Sequence, residues 1–261
     1  MKISVSNIGW DKQHDEEMYK YIANSGLNGI EIAPTRIIEH EPYEQNEQAI
    51  DFAKKMKENY KLEISSMQSI WYGKQGNIFD EDNAKMFIKY TKKAIDFASD
   101  INCKNLVFGC PKNRNMPVGK TTNDILYFFK ELGDYADKKK TIIAIEPNPT
   151  IYGTNFLNTT KEAIEFTRKI DSKGIKVNVD FGTIVENKES LETIQNNIDL
   201  VNHIHISEPN LEVVKERSKH KELADMLRKL DYKNYVSIEM KNTGDLNDIK
   251  TTIEYVKTIF C

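Results

Sequence analysis

The sequence predicts a single (β/α)8 barrel, and three observations support this fold class. Short apolar and β-branched runs alternate with longer amphipathic, charged segments, which is typical of parallel strands joined by crossover helices. There are eight such runs, the number that closes into a barrel. The length of 261 residues matches one barrel of about 250 residues. No linker or low-complexity stretch divides the chain, so we expect residues 1–261 to form one domain.

The predicted strands are spread along the whole chain. They cover Lys2–Ser6, Gly29–Ala33, Leu62–Met67, Asn105–Gly109, Ile142–Glu146, Lys176–Asp180, Asn202–Ser207 and Tyr235–Met240. Helix-like segments such as NAKMFIKYTKKAIDFASD and TKEAIEFTRKI lie between them. The segment DEEMYKYIANSG before the second strand ends at Gly26, and glycine commonly ends helices because it adopts a left-handed conformation easily.

The composition narrows the class of protein. Hydrophobic residues make up 39% and charged residues 30% of the chain, which excludes gross disorder. The net charge of −3 offers no basic face for nucleic acid or for an acidic membrane surface. The cysteines, Cys103, Cys110 and Cys261, lack the spacing of a disulfide framework or a zinc site. Without a signal peptide or a membrane-length apolar run, we expect a cytoplasmic protein with no nucleic-acid or membrane partner.

Strands five to eight carry a more specific pattern. Successive side chains of a strand point to opposite faces. In each of these strands one face is apolar, while the other becomes polar near the C-terminal end. In IIAIE, for example, Ile143 and Ile145 share one face, and Ala144 and Glu146 share the other. We expect the polar faces to point into the barrel, at the end where barrel enzymes hold their active sites.

The polar faces of these four strands carry Glu146, Asp180, His205 and Glu239. The intervals of 34, 25 and 34 residues are single βα units, so the four side chains are predicted to converge. Three carboxylates that close repel one another unless a cation lies between them. We therefore predict one divalent metal ion, with Mn²⁺, Mg²⁺ or Co²⁺ favoured by the donor set and Zn²⁺ also fitting.

Each of these residues has a simpler explanation when it is taken alone. An acidic residue at a strand end is often a helix N-cap or part of a surface ion pair, and an inward histidine is often a satisfied core residue. The recurrence on consecutive strands favours the metal site. His203 shares the inward face with His205 and is the rival ligand; we expect it to support the ligands or contact the substrate.

The motifs around these residues resemble the xylose isomerase-like barrel superfamily, in particular its sugar phosphate isomerase/epimerase branch, which is related to AP endonuclease family 2. The matching segments are IAIEPNP, VNVDFGT, HIHISEP, SIEM, SSMQSIWYG and VFGCPKNR. The resemblance implies a metal-dependent isomerase or epimerase of a sugar, sugar phosphate or sugar acid. It implies that Glu146 and Glu239 remove and return a proton, and that the metal holds two substrate oxygens and stabilises the enediolate.

The chain also departs from the ketose 3-epimerases of this superfamily. Those enzymes carry a histidine three residues after the strand-six aspartate, where this chain has Thr183. They carry a glutamate six residues after the strand-five glutamate, where this chain has Tyr152, and an arginine after the strand-seven motif, where it reads SEPNLEVVK. Because those groups bind the free sugar, the resemblance does not imply epimerisation of a free ketose.

Further residues near strand ends are candidates for substrate binding. Lys112 and Arg114 follow strand four and could bind a phosphate or carboxylate, with solvated loop cations as the alternative. The other candidates are polar, acidic or aromatic residues near strand exits or in the following helix: Trp10, Glu31, Gln68, Trp71, His203, Glu208 and His220. Glu31 and Gln68 could bind substrate hydroxyls or orient the ligands. Core packing is the alternative for the tryptophans and an ion pair for Glu31, whereas a surface helix position is favoured for His220.

Three other functions stay open. A dehydratase of the inosose type, a lyase, would use the same proton abstraction followed by loss of water. An AP endonuclease would need a basic face and more metal-binding histidines than a net charge of −3 and five histidines provide. A non-catalytic sugar-binding barrel would not need all four ligands. The sequence shows no clear interface patch, so a monomer and a homodimer are both compatible with it.

Overall fold

The computed structural model describes residues 1–261 and confirms the predicted fold class. Eight parallel strands close into a barrel in chain order, with the last strand paired to the first. The strands, β1 to β8, are Lys2–Ser6, Gly29–Ile32, Glu63–Met67, Leu106–Phe108, Ile143–Ile145, Ile175–Asp180, Val201–Ile206 and Tyr235–Ile238. Every predicted strand end lies within two residues of the observed one.

Ten α-helices lie in the connections between the strands and after β8. The helices, α1 to α10, are Asp15–Asn24, Pro34–Ile37, Asn46–Lys55, Glu81–Asp100, Leu126–Lys138, Thr160–Ile170, Phe181–Asn187, Glu192–Gln195, Ser218–Lys229 and Leu246–Phe260. Gly26 follows α1 with a φ of +78°, the left-handed conformation expected of a glycine that ends a helix. None of the helices combines the length and the apolar character needed to cross a bilayer.

Apolar side chains form one continuous buried cluster of 66 residues. Val177 and Val179 of β6 belong to this cluster. Asn178 and Asp180, which alternate with them, instead contact polar side chains of neighbouring strands. The alternation that the sequence shows for the later strands therefore separates a packing face from a polar face in the barrel.

Two irregularities of the sheet occur at inward-facing positions. The register between β2 and β3 shifts just before Glu31, and the register between β6 and β7 shifts just before Asn178. Such shifts re-aim the side chains that follow them. Beyond the second shift, Asp180 lies directly beside His205 on the neighbouring strand. The sheet thus aligns these two polar side chains at the C-terminal end of the barrel.

Candidate metal centre

The four predicted ligands meet at the C-terminal end of the barrel. Glu146, Asp180, His205 and Glu239 each present one ligand atom, and these atoms all lie within 4.8 Å of one another. Nδ1 of His205 is 2.9 Å from Oε1 of Glu146 and 3.1 Å from Oε2 of Glu239. None of the four residues is more than 9% exposed. The fold therefore gathers three carboxylates and one imidazole in a space nearly closed to solvent.

The spacing of these atoms fits a divalent cation. Two ligand atoms at right angles around an ion, with bonds of about 2.1 Å, lie about 3.0 Å apart. The separations of 2.9 and 3.1 Å around Nδ1 of His205 match such an edge. Oxygen donors with one imidazole suit Mn²⁺, Mg²⁺ or Co²⁺. Both the geometry and the donor set are thus compatible with one metal ion.

Burial and mutual repulsion perturb the acids of this cluster. Burial, reinforced by Glu146 and Glu31 and opposed by His205, raises the pKa of Glu239 to about 7. Burial and the charge of Glu146 also raise the pKa of Asp180. Burial alone would lower the pKa of His205, but the surrounding carboxylates, Glu239 first, raise it well above its ordinary value. Protons and a divalent cation therefore compete for these atoms.

Glu146 is held from several sides. Its Oε1 accepts a hydrogen bond from Nδ2 of Asn178 at 2.7 Å, and its Oε2 accepts one from Nδ2 of Asn148 at 3.2 Å. A Cβ at Gly109 would lie only 2.7 Å from Oε2, so glycine leaves room for this carboxylate. Arg114 donates to the backbone carbonyl of Glu146 at 3.0 Å and to Oδ1 of Asn148 at 2.9 Å. The segment after β4 thus fixes the position of Glu146.

Asp180 combines the two roles that the sequence left as alternatives, because it caps a helix and also belongs to the cluster. It is the N-cap of α7, and its Oδ2 accepts hydrogen bonds from the backbone N–H and the hydroxyl of Thr183, both at 2.7 Å. The hydroxyl of Ser207 donates to Oδ1. Since α7 begins immediately after β6, the start of the helix orients this carboxylate toward the other ligands.

The two histidines of β7 have different positions relative to the cluster. His205 faces the cluster through Nδ1, while its Nε2 lies 2.9 Å from Oε2 of Glu31. Nε2 of His203 lies 3.1 Å from the same oxygen, and the two rings pack edge to face with centroids 5.3 Å apart. Burial alone would raise the pKa of Glu31, but the two imidazoles hold it well below its ordinary value. Of the two histidines, only His205 joins the other three predicted ligands.

His203 also borders a groove at the opposite, N-terminal end of the barrel. This groove has a volume of about 1020 Å³ and is lined by strand beginnings, including Lys2, Glu63 and Tyr235. It contains none of the four clustered residues, so this groove and the candidate metal site lie at different ends of the barrel. The concentration of buried ionisable groups, rather than the size of the groove, identifies the candidate site.

The two tryptophans proposed as substrate contacts pack inside the fold instead. Trp10 is 1% exposed, and its indole N–H donates to Asp15 at 2.9 Å. Trp71 donates to Thr91 at 2.9 Å, and its ring stacks on Phe87 with centroids 4.1 Å apart. Aromatic faces that are covered by protein cannot line a pocket, so the core-packing alternative describes both residues.

Arg114 and His220 are buried, contrary to the expectations for a loop cation and a surface helix residue. The chain turns at Cys110, whose φ is +45°, and the guanidinium of Arg114 is 0% exposed below the loop after β5. This guanidinium therefore contacts the chain rather than solvent. His220 is also 0% exposed, because its ring packs on Phe181 and its Nδ1 is 2.9 Å from the hydroxyl of Tyr255. The surface prediction for His220 is wrong.

The remaining substrate candidates differ in accessibility. Lys112 is exposed in the segment after β4. Glu208 is buried and accepts hydrogen bonds from Nε of Arg217 at 2.7 Å and from its Nη2 at 2.5 Å. Gln68 is buried and donates to the hydroxyl of Ser6 at 3.2 Å. Only Lys112 among these three has a charge that is open to solvent.

Several polar residues around the ligands were not predicted from the sequence. Asn178 and Ser207 bind carboxylates of the cluster, and both share the inward face of their strands with a predicted ligand. The alternation of side chains along each strand therefore predicts that both residues point inward, toward the ligands. The hydroxyl of Tyr152 accepts the backbone N–H of Asn210 at 2.9 Å and links the segments after β5 and β7 across the end of β6. No local pattern indicates that contact.

With the fold and the cluster established, comparisons identify the family. The chain belongs to the xylose isomerase-like TIM barrel family, whose model matches residues 19–259. This confirms the resemblance inferred from the motifs. No curated protein sequence is significantly similar to the chain.

Several solved structures have the same fold. A D-psicose 3-epimerase from Clostridium cellulolyticum H10, with D-tagatose, superposes with a TM-score of 0.80 at 14% identity, covering 100% of this chain and 99% of that one. The 3-keto-D-glucoside 4-epimerase from E. coli gives 0.77 at 18% identity, covering 99% of each chain. A D-tagatose 3-epimerase-like protein gives 0.74 at 20% identity, again covering 99% of each. At such identities the likeness establishes the fold alone.

Proposed function

We propose that this protein is a divalent-metal-dependent isomerase or epimerase of a sugar or sugar derivative. The observation that carries the proposal is the convergence of three buried carboxylates and one imidazole at the C-terminal end of the barrel. Burying several acids together is unfavourable unless a cation compensates them, so packing alone does not account for the cluster. Structures of the same fold that are sugar epimerases support the class of substrate.

Within this proposal, Glu146 and Glu239 move the proton. They follow β5 and β8, the two outer strands of the four that carry the cluster, and both approach Nδ1 of His205. Two carboxylates that approach one point from different strands can act on two faces, or on two neighbouring carbons, of one substrate. A divalent cation held by these two residues together with Asp180 and His205 would supply Lewis-acid polarisation of substrate oxygens.

The surroundings of the cluster indicate which kinds of sugar to include as test substrates. The hydroxyl of Thr183 contacts Asp180, and the hydroxyl of Tyr152 accepts a backbone N–H, so both side chains already have partners within the chain. Lys112 is exposed beyond β4 and is our proposed contact for an acidic group. Phosphorylated and carboxylated sugars therefore belong in the panel beside neutral ones. Because the cluster depends on one closed barrel, we also propose that residues 1–261 act as one domain.

Proton exchange in D₂O tests the proposal directly. The Mn²⁺-loaded protein is incubated with a panel of sugars, sugar phosphates and uronates, and the products are examined by NMR and mass spectrometry. We expect deuterium at a carbon next to the carbonyl without net loss of water, and we expect E146Q and E239Q each to abolish the exchange. The matched control is E63Q, which removes a half-exposed carboxylate at the start of β3.

The outcomes separate the alternatives. Loss of water from the substrate would assign the dehydratase reaction instead. A metal-loaded wild-type protein that exchanges no proton in any member of the panel would contradict the proposal. Exchange that persists in both E146Q and E239Q would contradict the assignment of these two residues.

A further inference from the structure

Glu31 is a buried carboxylate that lies outside the cluster of four. It comes from β2, across the barrel interior from the cluster, and is 0% exposed. Its Oε2 is 2.9 Å from Nε2 of His205 and 3.1 Å from Nε2 of His203, whereas its Oε1 has no hydrogen-bond partner. A buried carboxylate with an unpartnered oxygen is unfavourable for packing. A role at the site therefore explains this residue better than packing does.

The sequence predicts that Glu31 binds substrate hydroxyls or orients the ligands, and its position favours the second role. The imidazole of His205 stands between Glu31 and the other three ligands, with Nδ1 toward them and Nε2 toward Glu31. A substrate above the metal site would meet the carboxylates of the cluster before it could reach Glu31. Glu31 instead contacts the predicted ligand His205, on the side of the ring that faces away from the other three ligands.

We propose that Glu31 is a positioning residue that fixes the orientation and the tautomer of His205, so that Nδ1 presents its lone pair to the metal. The inference rests on the proposed function, since it assumes that His205 is a ligand. A neutral imidazole carries one N–H, and a metal needs the other nitrogen as a lone-pair donor. An ionised carboxylate can only accept, so Glu31 keeps the proton on Nε2.

The cluster itself makes it necessary to keep the proton of His205 on Nε2. Oε1 of Glu146 and Oε2 of Glu239 lie 2.9 and 3.1 Å from Nδ1, and both can accept a hydrogen bond from it. Without an acceptor behind the ring, the proton would be drawn to Nδ1, where it blocks metal binding. Glu31 supplies the competing acceptor at 2.9 Å from Nε2. The orientation of the ring is thus set by a residue 174 positions away in the sequence.

His203 completes the arrangement. Its Nε2 approaches the same oxygen of Glu31 at 3.1 Å, and its ring packs edge to face on His205. The carboxylate is thereby located between two rings that come from one strand. This gives β7 two different uses of its inward histidines, one as a ligand and one as a support for the group that orients the ligand.

Metal affinity tests the proposal without relying on activity. Mn²⁺ binding to the full-length protein is measured by EPR detection of free Mn²⁺ for the wild type, E31Q and the control E63Q. Glutamine keeps the shape of Glu31 but is uncharged and can turn its NH₂ group toward Nε2. We expect E31Q to bind Mn²⁺ about 10- to 100-fold more weakly, the usual effect of losing such a partner of a ligand, and E63Q to bind as the wild type does.

A second measurement uses the wild type alone, so the proposal stays testable even if E31Q fails to fold. In the Zn²⁺-loaded protein labelled with ¹⁵N-histidine, two-bond ¹H–¹⁵N correlations report which nitrogen of each of the five histidines carries a proton. We expect the proton of His205 on Nε2. A proton on Nδ1, or wild-type affinity in E31Q, would overturn the role of Glu31 and leave the proposed function standing. A wild type that binds no divalent metal would overturn both.

Discussion

Replacing Gly109 by alanine probes how closely the site is packed around one carboxylate. The added Cβ would lie 2.7 Å from Oε2 of Glu146, while its next neighbour, Oδ1 of Asn148, is 3.6 Å away. The backbone at Gly109 does not have a left-handed φ, so alanine introduces no backbone strain. The substitution therefore acts mainly through the position of the Glu146 carboxylate.

The size of the displacement follows from the distances. To reach an ordinary contact of 3.4 Å from the present 2.7 Å, Oε2 must move by 0.7 Å. Oε1 resists this movement because Asn178 donates to it at 2.7 Å. A misplacement of about 1 Å at a reacting group costs roughly 100-fold in rate, so we expect G109A to lower kcat/KM by about 10- to 100-fold. Stability should change by no more than about 1 kcal/mol, since the clash involves the end of a side chain.

The assays are Mn²⁺ affinity, proton exchange in D₂O and urea unfolding. The control is G26A, because Gly26 has a φ of +78° and nothing within 4 Å of an added Cβ. We expect G26A to lose about 1 kcal/mol of stability through backbone strain while its metal affinity stays unchanged. Wild-type affinity and exchange rate in G109A would refute the reasoning, because the carboxylate would then have room that the distances exclude.

Three further predictions follow from the same contacts. In the presence of a chelator, the free energy of unfolding of the wild type, measured relative to that of E239Q, should fall as pH rises from about 4.5 to about 7. Burial raises the pKa of Glu239 to about 7, so the native wild type holds a proton that its unfolded chain releases. A difference between the two proteins that stays constant or rises over this interval in urea unfolding would contradict it. T183V should keep the fold but weaken Mn²⁺ binding by roughly 3- to 10-fold, because it removes the hydroxyl that donates a hydrogen bond to Asp180 at 2.7 Å. Calorimetric titration measures this affinity, and an unchanged value would count against the prediction. W71A should lower the free energy of unfolding by about 3–5 kcal/mol in urea, because the ring stacks on Phe87 in the core. The substitution should leave metal affinity unchanged. An intact stability with a raised KM would restore the hypothesis that Trp71 contacts the substrate.

The fold and the composition of the cluster were readable from local periodicity. In the last four strands the outer face is apolar and buried, so apolar residues of that face recur at every second position. Where that alternation ends in Glu146, Asp180, His205 and Glu239, the inward face changes from packing to polar contacts. The spacing of one βα unit then places these residues on adjacent strands, and the closed barrel brings them within 4.8 Å.

The barrel and the inward direction of the ligands could be predicted from local alternation, because strand alternation depends only on neighbouring residues. Contacts between distant segments place Glu31 behind His205, Arg114 beneath the Glu146 segment and Trp71 in the core, and these positions could not be predicted. These outcomes depend on where loops turn and which distant strands face each other. The path of a loop is set by contacts across 30 or more residues, as between Arg114 and Glu146, and no short window of sequence contains them.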